Sequence, residues 1–193
     1  LPAEGEITVK EAISDLEIDG TQLVPSVDTK GFNQIKYAPR RLTSYQRLMR
    51  GHVQAGFSPN SLRLPNHGEE TTARFKRILT RYPKGKSLRK ADLEALGTRK
   101  HSLTPLHPNQ PSKTITTLPD DLLHYSEPRI LTVRENARIQ SFPDWYDFLG
   151  KYTTGGVRRK DECPRYSQVG NAVPPLMAEA LGRAIKQLDH SDD

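Results

Sequence analysis

The chain has 193 residues, 34% of them apolar, a single cysteine and a mean hydropathy of −0.70. That composition excludes an internal disulfide, offers no run near the roughly 18 apolar residues of a membrane span, and is lean for one large core. The net charge of +6 is spread unevenly: residues 1–35 carry 2 basic and 7 acidic side chains, 36–113 carry 17 and 4, and 114–193 carry 10 and 12. An excess of +13 confined to the central block points to a polyanionic partner rather than to an evenly solvated surface. The length suits one or two domains, and a start at Leu1 rather than Met predicts a fragment, a processed chain or a trimmed product. One cysteine and no visible leader fit a reducing, cytoplasmic setting.

Thr8 and Glu11 stand in the capping-box relation, and Val9, Ala12, Ile13 and Leu16 follow at helical intervals, which predicts a short helix over about 9–16. Residues 20–65 hold Pro25, Pro39, Pro59 and Pro65 with Gly20, Gly31, Gly51 and Gly56 and show no sustained period; a long irregular segment is expected. Within it Phe32, Tyr37, Tyr45 and Phe57 alternate with Arg40, Arg41, Arg47, Arg50 and Arg63, a mixture able to hold phosphates and bases. Glu69 to Tyr82 reads as a helix with Phe75, Ile78, Leu79 and Tyr82 in one stripe, acidic at its start and basic toward its end. A second short helix over about 88–96 stops at Gly97, and Pro111-Ser112-Lys113-Thr114-Ile115-Thr116-Thr117 reads as a β-strand bounded by prolines.

The stretch that organises the rest is Arg129 to Val173. Thr132 and Glu135 form another capping box, Arg134 and Arg138 share a helical face, and Pro143 stops the element. Gln168-Val169-Gly170-Asn171 reads as a glycine turn feeding a helix that starts near Pro174 and Pro175, with free N–H groups for a polar ligand. That last helix, about 174–188, lines up Leu176, Met177, Ala180, Leu181, Ala184, Ile185 and Leu188, a stripe broad enough to require a partner.

The run RILTVRENARIQSFPDW, from Arg129 to Trp145, followed by QVGNAVPP, from Gln168 to Pro175, resembles motifs nine and ten of the DNA (cytosine-5) methyltransferases. Thr8 to Leu16 is similar to the TVxxAIxDLP element that precedes the family's target-recognition region, with Glu17 where the family has proline. Tyr45-Gln46-Arg47, Asn66-His67, the threonine-rich 111–117 stretch and His124 ahead of Arg129 fit the same pattern. The resemblance covers about 7–188 and only the C-terminal part of a whole enzyme. It implies an α+β chain: a loop-rich recognition domain with short strands, plus helices that complete a Rossmann-like catalytic domain. It divides the chain into a connecting helix at 1–19, a DNA-binding recognition domain at 20–128 and a motif nine and ten segment at 129–193.

The same resemblance places Asn171 and Ala172 beside S-adenosylmethionine. The recognition domain's candidate contacts to duplex DNA are Arg40, Arg41, Arg47, Arg50, Arg63, Arg99, Lys100 and Lys113. The family's nucleophilic Pro-Cys pair, its Glu-Asn-Val element and its glycine-rich cofactor loop are not in these residues. Cys163, between Glu162 and Pro164 and close to Asp161, sits among carboxylates that disfavour a thiolate, and the histidines show no zinc-type spacing. The expectation is therefore the sequence-recognition part of a DNA cytosine-5 methyltransferase of a bacterial restriction-modification or related system, inactive alone and partnered by the catalytic half. The rival readings are a stand-alone DNA-binding or regulatory protein, and a basic RNA-binding module, for which no RNP pattern or GXXG-helix arrangement is convincing.

Overall fold

Three of the helices start on reciprocal side-chain caps, and these caps set where the chain turns. The computed structural model describes residues 5–39, 41–153 and 162–189. Helix α1 (Val9–Ile13) is capped by Thr8 and Glu11, α2 (Ser44–Arg50) by Thr43 and Gln46, and α5 (Val133–Ile139) by Thr132 and Glu135. In each, hydroxyl and carboxyl or amide satisfy an N–H at the other's end, so helices of only 5 to 7 residues have defined starts. A 3₁₀ turn, Ser14–Leu16, continues α1 as the helical spacing predicted.

Between these lie α3 (Glu69–Arg81) and α4 (Lys90–Ala95). Two small sheets complete the middle of the chain. Strands β1 (Leu23–Pro25) and β2 (Asn33–Ile35) pair antiparallel with Leu23 opposite Ile35, while β3 (Thr104–Pro105) and β4 (Leu122–Leu123) pair parallel. The chain ends in α6 (Arg165–Asn171) and α7 (Pro175–Asp189).

The main core joins α1, α2, α5 and α6 through Val9, Ile13, Tyr45, Met49, Val133, Ala137, Tyr166 and Val169. A second core beneath α3 holds Phe75, Ile78, Leu93, Leu103, Leu123 and Ile130, and Leu16, Ile35 and Leu62 form a third under β2. Each fully buried aliphatic here stabilises by about 1.5–3 kcal/mol.

Three expectations are corrected. The 20–65 segment is not uniformly irregular: it contains β1, β2 and the capped helix α2, which Gly51 ends. The 111–117 stretch forms no strand. Its alternation is present, with Ile115 buried between exposed Thr114 and Thr116, but no strand lies beside it to accept its hydrogen bonds. Gly170 is not in a turn. It lies within α6, and a Cβ there would collide with the backbone of Thr116 and Thr117, so glycine answers a close approach of two segments rather than a bend.

Helix α7 has no buried residue: Leu181 is 52% and Ile185 67% exposed, and only Leu176 packs against the main core. The stripe that asked for a partner finds none within the described residues. No described helix is long and apolar enough to cross a membrane.

Candidate nucleic-acid interface

Two fully buried arginines on α5, Arg134 and Arg138, and the buried Arg129 just ahead of it tie this helix to the rest of the chain. Arg138 is fully buried; its Nε donates to Asp144 Oδ1 at 2.5 Å, its Nη2 to Asp144 Oδ2 at 2.7 Å, and both Nη atoms donate to Asp15 at 3.2 Å. Burial alone would lower its pKa, but Asp144 and Asp15 hold it above the ordinary guanidinium range. Arg134 has neutral acceptors instead: the Asn60 carbonyl at 3.0 Å, Asn60 Oδ1 at 2.7 Å, and the carbonyls of Tyr146 and Pro143. Burial pulls it down to about 10, against the pull of Asp144.

Arg129 bridges two carboxylates. Its Nη1 and Nη2 donate to Glu135 at 2.7 and 2.8 Å, and its Nε donates to Glu127 at 2.7 Å. Burial pushes Glu135 up and Arg129 pulls it down, and the guanidinium prevails, leaving Glu135 below the usual carboxylate range. His124 Nδ1 accepts from the N–H groups of Ser126 and Glu127 at 3.2 and 3.1 Å, so the proton sits on Nε2, 3.7 Å from Glu135. Burial drives His124 down to about 3, Arg129 assists, and Glu135 opposes; the imidazole is neutral at neutral pH.

The candidate DNA contacts divide by how they are held. Arg41 and Arg99 are exposed. Arg47 on α2 is exposed too, its Nη atoms donating to the Leu42 carbonyl and to Ser44 Oγ at 2.7 and 3.1 Å. Lys113 is exposed and lines an open groove of about 380 Å³ with Thr8, Tyr45 and Gln140. Three others point inward. Arg50 lies over the Tyr37 ring at 5.1 Å and 4.0 Å from Asp144, Lys100 donates to the carbonyl and carboxylate of Asp120, and Arg63 packs against Phe32 and Tyr152. Arg40 lies outside the described residues.

Sequence reasoning missed several positions around them. Asp28 accepts from Arg165 Nη1 at 2.5 Å and from the Tyr152 hydroxyl at 3.0 Å, closing the β1–β2 turn onto Tyr152 and the first residue of α6. Asn60 holds Arg134 and also donates to the Phe148 carbonyl at 3.0 Å. No spacing rule links residues this far apart.

Of the two residues expected beside the cofactor, Asn171 is exposed as the last residue of α6, and Ala172 is its half-buried cap. The Ala172 N–H donates to the Val169 carbonyl at 3.3 Å, and at the start of α7 the Leu176 N–H donates to Ser141 Oγ at 3.1 Å. What remains available at this position is the Asn171 side-chain amide, next to exposed Val173 at the foot of α7. Cys163 is exposed, and among the described residues no group of three His, Cys, Asp or Glu is placed to hold a metal ion.

The model of the C-5 cytosine-specific DNA methylases matches residues 13–187. The type II methyltransferase M.AquIB of a Picosynechococcus strain is 45% identical over 84 residues, 42% of this chain and 60% of that protein. M1.HphI of Haemophilus parahaemolyticus is 40% identical over 86 residues, covering 45% of this chain and 20% of that protein. A crystal structure described as a DNA modification methyltransferase encoded within an E. coli prophage superposes on 98% of this chain with a TM-score of 0.60. At 19% identity that likeness speaks for the fold alone, and the chain spans 49% of the solved one. With mixed helices and short strands in the order seen here, and a family model matched over 13–187, the chain belongs to the C-5 cytosine-specific DNA methylase family.

Proposed function

We propose that this chain is the sequence-recognition part of a DNA (cytosine-5) methyltransferase of the restriction-modification type. Residues 20–128 choose the site on duplex DNA, and 129–193 join them to a Rossmann-like catalytic half that carries the nucleophile. The complete enzyme takes a cytosine out of the duplex and methylates its C5. S-adenosylmethionine, bound by that half, supplies the methyl group. Here the Asn171 amide offers a donor and an acceptor at the edge of α6, and α7 offers the apolar face that seats the two parts together.

One observation carries the reading. The α5 arginines lock the basic recognition region, through Asn60 and Tyr37, to the segment bearing Asn171 and α7. A rigid joint of this kind is what a recognition part needs if it is to hold DNA in register with a reaction performed elsewhere.

Duplex binding by the isolated chain tests it. The chain should bind DNA weakly and transfer no methyl group, and its affinity should fall steeply with salt as lysines and arginines that neutralise phosphates release counterions. Methyl transfer by the chain alone, lost in Cys163→Ala, would overturn the reading. Mixed with the catalytic half, Asn171→Ala should raise the cofactor concentration needed for methylation more than the DNA concentration. A change confined to DNA would move Asn171 to the other side of the site.

A further inference from the structure

Arg63 lies against two aromatic rings, whereas Arg50, which also has a buried guanidinium nitrogen without a hydrogen-bond partner among the described residues, lies against one. The Arg63 guanidinium carbon lies 4.1 Å from the Phe32 ring centre and 3.7 Å from that of Tyr152. Its backbone is zipped along β2: Gln34 and Arg63 form a bridge, and the N–H groups of Ile35 and Leu64 donate to Leu62 and Asn33 at 3.3 and 2.8 Å. The residue is thus fixed at both its main chain and its tip.

Among the described residues it nevertheless has no ion-pair partner. Asp28, the carboxylate of this cluster, is occupied by Arg165 and by the Tyr152 and Ser26 hydroxyls. Arg63 Nε is buried with no hydrogen-bond partner among the described residues, and no described group accepts from either Nη. A buried donor left unmet costs about 1–3 kcal/mol, a cost expected where a site is formed in advance of its ligand. A guanidinium packed against two rings keeps its N–H donors at its rim, in one plane. Arg47, by comparison, spends its donors on Leu42 and Ser44, and Lys100 on Asp120.

A phosphate is served well enough by mobile surface cations such as Arg41 and Lys113, whereas reading a base edge requires a fork held in a fixed orientation. We propose that Arg63 is a base-reading residue, its fork donating to the O6 and N7 acceptors of a guanine in the major groove. This rests on the DNA-recognition role proposed above. Phe32 and Tyr152 act as positioning residues that keep the fork in plane.

The 193-residue chain would be used to enrich duplexes from a pool with a randomised centre. The best-enriched duplex would then be made with 7-deazaguanine, which lacks N7, at each guanine in turn. The wild-type chain should enrich a guanine whose replacement weakens binding about tenfold. Arg63→Lys keeps the charge but not the fork, so it should lose that sensitivity and about tenfold in affinity while the salt dependence stays the same. Phe32→Leu, at a half-exposed ring, should lose part of the same preference, and thermal melts of both variants report whether they fold. Failure of the chain to bind duplex at all would remove the recognition role and this proposal together. Binding with a steep salt dependence but no guanine preference would overturn Arg63 alone, as would a preference that Arg63→Lys retains. A folded Arg63→Lys whose loss is equal on every duplex identifies a phosphate contact and overturns base reading.

Discussion

Helices α5 and α7 invert the usual arrangement of a soluble protein. The first has six buried residues out of seven, among them Arg134, Glu135 and Arg138; the second has fifteen residues, none buried, with Met177, Leu181, Ile185 and Leu188 facing out. Charge is inside and apolar surface outside. The buried charges are tolerated because nearly every one has a matched partner, and the exposed stripe becomes intelligible if another molecule or segment covers it. Taken together they separate what the chain completes by itself from what it leaves for others.

The sharpest way to break the contrast is to unbalance α5. Arg138→Met should leave Asp15 without its cation and Asp144 with only Arg50 at 4.0 Å, and cost about 3–5 kcal/mol, read as a drop in the urea midpoint. Adding Asp144→Asn to that variant should recover part of the loss. If the single variant unfolds at the same urea concentration as the parent, the network contributes nothing to stability.

Acid tests the same hub through His124. Its folded pKa of about 3 lies below the unfolded value of about 6.5, so between them only the unfolded chain binds the proton. Stability is therefore greatest above pH 6.5 and is lost as pH falls toward 3, by up to about 1.4 kcal/mol per unit. Glu135, held low by Arg129, adds loss below its unfolded range, while Glu127, raised by burial, works the other way. The difference between the parent and His124→Gln isolates the histidine. Parallel stability curves for the two across pH 4.5–6.5 would remove it from the account.

A smaller loss is expected where α6 meets the 111–117 segment. Glycine to alanine inside a helix ordinarily gains about 1 kcal/mol, yet Gly170→Ala should lose about 1–3 kcal/mol because the new methyl meets the Thr116 carbonyl. A raised melting temperature would show that the two segments separate easily. The smallest effect belongs to α7. Leu181→Asp with Ile185→Asp should change the chain's own stability by no more than about 0.5 kcal/mol, since both side chains are already in water. The same pair should abolish the methylation restored by mixing with the catalytic half. Collapse of the isolated chain would mean that the stripe is part of its own core.

What could be read from the sequence follows from the range of the interactions involved. The caps at Thr8 and Thr132, the α3 stripe and the surplus apolar face of α7 are local patterns, and all appear in the structure. The Thr43–Gln46 cap is equally local, but the prolines and glycines around it mask the helix it starts. The misread positions are those settled by distant partners. Gly170 is a glycine because of Thr116, and 111–117 alternates like a strand but lies against α6 with no strand beside it. Nor does an arginine announce in sequence whether it will be solvated: Arg134 and Arg41 look alike until Asn60 supplies a carbonyl to one of them. The Arg63 cluster, drawn from Phe32, Asp28, Tyr152 and Arg165, was legible only as a list of arginines and aromatics.

The bond between Arg138 and Asp15 joins residues 123 positions apart, and Asp144 must be present to complete it. A ribosome adding about 5–20 residues per second reaches Asp144 roughly 6–26 s after Asp15. For most of that interval the first capped helix has no Arg138 to close upon, and the 20–65 segment is made before the element that fastens it. Long-range closure of this kind slows folding, because the entropy of a large loop is lost before its contacts form. The last third of this chain therefore sets the time at which its first third can become ordered.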